Sequence, residues 1–93
     1  METVSIVTTA SPAGQRPRVR VTGAVSQVRP SGPGGPPALR AELGGGDEKV
    51  TIIWLGRNHI LGIEPGRELA VEGMLTVQGG RKVIYNPRYE LGA

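Results

Sequence analysis

The side chains best equipped for chemistry in this 93-residue chain are its cations. Arg16, Arg18, Arg20, Arg29 and Arg40 follow one another without an intervening acid, and Arg81, Lys82 and Arg88 form a second basic group. The acids concentrate elsewhere, at Glu42, Asp47, Glu48, Glu64, Glu68 and Glu72. Guanidinium and ammonium groups bind phosphate oxygens, so basic stretches free of acids suit an anionic polymer. An ordinary solvated basic surface is the plain alternative. Covalent chemistry finds less material. His59 is the only histidine and there is no cysteine. A lone imidazole without a Ser–Asp or thiol partner makes neither a nucleophile relay nor a metal set. The Gly/Pro run 30–37 lacks the lysine and the following helix of a phosphate loop. No catalytic residue, metal or cofactor is expected, and the chain reads as non-enzymatic.

The totals narrow the architecture. The hydrophobic fraction is 38 %, with no Phe, one Trp and two Tyr, so any core is thin and built of Val, Ile and Leu. Ninety-three residues make one small domain near the lower limit for a core without staples. Gly and Pro number 15 and 8, and most of them punctuate alternating runs as turns do in all-β domains. The net charge of +3 favours an acidic partner. No apolar run approaches the roughly 18 residues of a membrane span, and no basic-then-apolar leader opens the chain. A cytoplasmic protein without a membrane partner is the expectation.

The alternation predicts five strands, at 18–28, 38–44, 50–55, 69–77 and 82–85. Residues 1–17 read as an N-terminal arm, either flexible or an edge strand, with a flexible link at 11–14. Gly23 is the expected site of a bulge or sharp bend. A long mobile loop is predicted at 29–37, a Pro-Gly turn at 64–66 and a tight hairpin at 78–81. At most a short helical turn fits between strands three and four. Five strands with that spacing predict an all-β fold, a Greek-key OB-fold barrel over 18–91. The third strand alone is apolar on both faces, with Ile52 and Trp54 on one side and Ile53 and Leu55 on the other. One side fills the core, and the other is covered or used.

The residues Ile53-Trp54-Leu55, Ile63-Glu64-Pro65-Gly66, Val71-Glu72-Gly73 and the tail Asn86-Pro87-Arg88-Tyr89-Glu90-Leu91 resemble bacterial OB-fold nucleic-acid-binding domains. The nearest resemblance is to the wedge domain of RecG-type branch-migrating DNA helicases, over 18–91. It implies a free-standing OB-fold protein that binds single-stranded or branched DNA, with RNA the other option. The helicase motor domains have no counterpart here, so unwinding is not implied. Where that family carries base-stacking aromatics, this chain has Leu55 and His59. Weaker stacking is expected.

In an OB-fold the loops between strands one and two and between four and five flank the binding groove. The groove is therefore expected to use Arg29, Arg40, Thr51, Ile53, Leu55, Arg57, Asn58, His59, Arg81 and Lys82. Volume assigns Trp54 to the core, with base stacking as the alternative. Tyr89 is expected to pack on the barrel with Leu91, and Tyr85 fits core or groove. A second reading is a protein-interaction or oligomerising OB module, docking through the Ile53–Leu55 patch or the N-terminal arm.

Overall fold

The computed structural model describes residues 4–10 and 16–92. The link expected at 11–14 lies outside the described residues. The chain is all-β, with strands β1 (Val4–Ala10), β2 (Arg18–Pro30), β3 (Ala38–Leu43), β4 (Val50–Leu55), β5 (Glu68–Met74), β6 (Thr76–Gln78), β7 (Arg81–Tyr85) and β8 (Arg88–Leu91). That is eight described strands where five were expected. The only helical element among the described residues is a 3-10 turn at Gly46–Glu48. It lies between β3 and β4, not between β4 and β5 where a helical turn was allowed for.

The strands are ordered β6-β7-β4-β3-β2-β5-β8, with β1 on β2. All pairings are antiparallel except β4 with β7. The ladder is open, not the closed barrel expected, because β6 and β8 end it without pairing to each other. Three expected features explain the larger count. The arm forms β1 along the edge of β2. The tail forms β8 along the edge of β5. The expected fourth strand divides at Leu75, where the chain passes from β2 as partner to β7. Leu75 N–H there donates to Pro17 O (2.9 Å).

β2 is long enough to serve two sheets, and this fixes the architecture. Its first half lies between β1 and β5, and its second half pairs with β3. The register shifts between Val25 and Gln27, a bulge at Ser26, whose hydroxyl donates to Glu42 O (3.1 Å). Gly23, the expected bulge, sits instead in regular register opposite Leu69 and Val4. An extra residue in a strand exchanges its faces. Before Ser26 the odd-numbered Val19, Val21 and Val25 point into the core. After it Arg29 and Gln27 point outward.

The core is Val19, Val21, Val25, Leu39, Ala41, Leu43, Val50, Ile52, Trp54, Leu69, Val71 and Ile84, sealed by Ile60 and Ile63. The last two come from the irregular segment 56–67, between the expected third and fourth strands, which contains no helical turn. Its turn at 64–67 is the Pro-Gly turn, with Gly66 at φ 89° and Arg67 N–H donating to Glu64 O (3.1 Å). Trp54 is 4 % exposed, so it belongs to the core, not to a stacking platform. Tyr89 meets it edge-on, with ring centroids 5.6 Å apart. Edge-to-face pairs contribute about 0.5–1.5 kcal/mol beyond area burial. In a core this poor in aromatics, that contact ties the tail to the centre of the fold. No helix among the described residues is long and apolar enough to cross a membrane.

Candidate nucleic-acid interface

The register between strands assembles a row that chain order conceals. Arg29 on β2 lies opposite Arg40 on β3, Arg40 opposite Ile53 on β4, and Ile53 opposite Tyr85 on β7. Side chains in register share a face, so these four stand side by side on the outer face. A second row runs Gln27, Glu42, Thr51, Val83 and Thr76. Two adjoining depressions share Arg40 and Ile53, one on the loop side of the first row and the other between the two rows. One, of about 220 Å³, is lined by Arg29, Ser31, Ala38, Arg40 and Ile53, with Pro30 at its rim. The other, of about 400 Å³, has the buried Thr51 and Val83 as its floor and Arg40, Arg81, Gln78 and Tyr85 around it.

The walls are held in place by identifiable contacts. Ser31 closes the neck of the 31–38 loop: its N–H donates to Ala38 O (2.8 Å), its hydroxyl donates to Pro36 O and accepts from Ala38 N–H (3.1 Å each). The opposite wall is the 78–81 hairpin, where Gly79 and Gly80 take φ 56° and 78°. Successive left-handed residues give the type I′ turn that matches strand twist. Tyr85 hydroxyl donates to Gln78 Oε1 (3.0 Å), which fixes the ring beside the groove. At the end of β7, Asn86 takes φ 49° and accepts from Leu55 N–H through Oδ1 (2.8 Å). It thereby continues the β4 ladder past the last paired residue.

Electrostatics separate this face from the other. On the outer face of β2, β5 and β8, Arg20, Glu72 and Arg88 stand in register with alternating sign. Arg88 pairs with Glu72 (3.2 Å) and Arg20 with Glu90 (3.9 Å). Among the described residues, Arg29, Arg40 and Arg81 form no ion pair with an acid. The one acid on the groove face, Glu42, is engaged by Lys49 (3.7 Å). With the Gln27 amide nitrogen turned toward Glu42 and its oxygen toward Arg29, Gln27 donates to Glu42 Oε1 (3.1 Å) and accepts from Arg29 Nε (3.1 Å). The groove therefore offers three arginines with no direct carboxylate partner among the described residues.

Of the ten residues expected to form the groove, Arg29, Arg40, Thr51, Ile53 and Arg81 line it. Leu55 shares their face at the end of β4, opposite Ala38, and is exposed. Lys82 does not join them: it is in register with Val50 and Val77, on the alternate face of β7. Arg57, Asn58 and His59 are exposed in the segment after β4 and line neither depression. Gln27 and Gln78 were absent from the expected set, and Tyr85, which fitted core or groove, lies in the groove. Only the parallel register of β7 on β4 brings Tyr85 beside Ile53, and nothing in the local sequence reports that pairing. No group of three or more His, Cys, Asp or Glu suited to a metal occurs among the described residues. Comparison with protein families, with curated proteins and with solved structures finds no match to this chain.

Proposed function

We propose that the chain is a non-enzymatic OB-type module that binds single-stranded or branched nucleic acid, DNA in the first instance, across the outer face of β3, β4 and β7. One observation carries the reading. Three arginines without a carboxylate partner among the described residues converge on a single groove that also holds an exposed tyrosine, while Arg20 and Arg88 on the other sheet are paired with acids. The row from Arg29 to Tyr85 crosses four strands, about 14 Å at about 4.8 Å per step, the run of about four stacked nucleotides. That matches the lower end of OB-fold site sizes, about 4–16 nucleotides. Tyr85 offers a face for one base, worth about 1–3 kcal/mol, and Ile53 an apolar floor beside it.

The connectivity supports the OB assignment. With β5 and β6 counted as one bent strand and β1 and β8 as additions, five strands remain, the third and fifth parallel and the first and fourth antiparallel. The bent strand passes through Leu75 from one sheet to the other, so chain connectivity links the two ends of a hydrogen-bonded path that stays open. The groove then lies on the face that OB-folds use for oligonucleotides.

Fluorescence anisotropy of labelled single-stranded, duplex and forked oligonucleotides, at about 50 and 200 mM salt, tests the reading. Single strands or forks are expected to bind best, with affinity falling steeply at the higher salt. Folded protein that binds none of them at low salt would sink it.

A further inference from the structure

Three strands leave an edge unpaired among the described residues: β1, β6 and β8. β6 has only three residues, and β8 carries Arg88 and Glu90 within its four. β1 is different. Its seven residues, Val4-Ser5-Ile6-Val7-Thr8-Thr9-Ala10, contain no charge, proline or glycine, and all but Val4 are exposed. Edge strands are ordinarily guarded by charge, proline or brevity. The one irregularity, between Thr8 and Ala10, leaves Val4 to Thr8 in unbroken register with β2.

The side chains show what that edge lacks. Ile6 is in register with Val21, Val21 with Val71, and Val71 with Tyr89. Val21 and Val71 are fully buried, but Ile6, on the same core-facing row, is 37 % exposed. The apolar row runs past the core and stops uncovered. We infer that a second copy of this chain covers it, by antiparallel pairing of β1 with its symmetry mate about a twofold axis at Ile6.

That register uses only the regular part of the strand. It sets Ile6 against the partner's Ile6, Val4 against the partner's Thr8 and Ser5 against the partner's Val7. The core-facing row then runs unbroken from one Tyr89 to the other. On the outer face, the row Arg20, Val7 of one copy meets Ser5, Thr22 of its mate, so no like charges oppose each other. Local charge therefore does not oppose self-pairing at this edge, although each chain as a whole carries +3. A contact of five residues per strand falls below the roughly 800 Å² per partner of a standard interface. The dimer is accordingly a weak, reversible one, and its two grooves form a single bivalent assembly.

Sedimentation velocity from about 10 µM to 1 mM, on the full chain without oligonucleotide, tests this separately from nucleic-acid binding. The weight-average mass is expected to rise with concentration toward twice that of one chain. Ile6→Lys and Ile6→Glu, each placing like charges opposite each other at the axis, are expected to weaken association at least about 10-fold. Mixing the two variants is expected to restore it. Trp54 emission and the thermal midpoint check that each variant folds. Wild-type protein that stays monomeric at 1 mM overturns the inference. So does a folded Ile6→Lys variant that associates as wild type, which assigns the contact to another surface.

Discussion

Removing the groove arginines together, as Arg29→Ala, Arg40→Ala and Arg81→Ala in one chain, tests whether they contact phosphates. All three are exposed, so the substitutions remove charge with little loss of packing. Each contact with a single strand contributes about 0.7 to the slope of log affinity against log salt. A fourfold rise in salt, from about 50 to 200 mM, then costs about 2.6-fold per contact and about 18-fold for three. That is about 1.7 kcal/mol, well outside the error of an anisotropy titration. The triple variant should bind more weakly at low salt and show a slope shallower by about 2. The matched control is Arg20→Ala with Arg88→Ala, which removes arginines already paired to Glu90 and Glu72. Its slope should equal that of the wild type. A triple variant with an undiminished slope, or a control that loses as much, would refute the assignment of the groove.

Four further outcomes follow from the fold. Gly73 is buried, and a Cβ there would lie 2.8 Å from Ile84 Cγ2 and 3.4 Å from Pro87 Cβ, so Gly73→Ala should destabilise by about 1–3 kcal/mol in urea unfolding. Asn86→Gly should lose only the Leu55 hydrogen bond, about 0.5–1.5 kcal/mol, whereas Asn86→Ala should cost about 1 kcal/mol more because its φ is positive; equal losses would show that backbone strain plays no part. Trp54 emission should be that of a buried indole and unresponsive to oligonucleotide. Tyr89→Leu should lower stability by about 0.5–1.5 kcal/mol through loss of the edge contact, and no change in the unfolding midpoint would discount that contact.

Local order was legible in the sequence wherever local chemistry sets it. Period-two alternation located the core faces of β3, β5 and the first half of β2, because a half-buried strand must alternate, whereas β4 is apolar on both faces and β7 is too short to show a period. Gly79-Gly80 and Pro65-Gly66 marked turns because only certain residues tolerate their φ angles. Trp54 was assignable to the core by volume alone. The all-β class followed from the same signals. The tail was quoted as a motif, but nothing local to it predicted that β8 would pair along β5.

What the tertiary structure decided was register. The bulge at Ser26 exchanges the faces of β2, and so moves Arg29 from the mouth of a loop into a row beside Arg40. The parallel pairing of β7 on β4 puts Tyr85 next to Ile53, about thirty residues away in the chain, and leaves Lys82 on the other face. The third cation of the groove, Arg81, arrives by that same pairing. Which arginines carry acid partners is equally a matter of contact: Arg20 and Arg29 look alike in sequence, but β8 brings Glu90 to one and no strand brings a carboxylate to the other. Sequence specifies which side of its own strand a residue occupies. Which residues become its neighbours across strands depends on hydrogen-bond register, and a shift of one residue there exchanges every partner on a face.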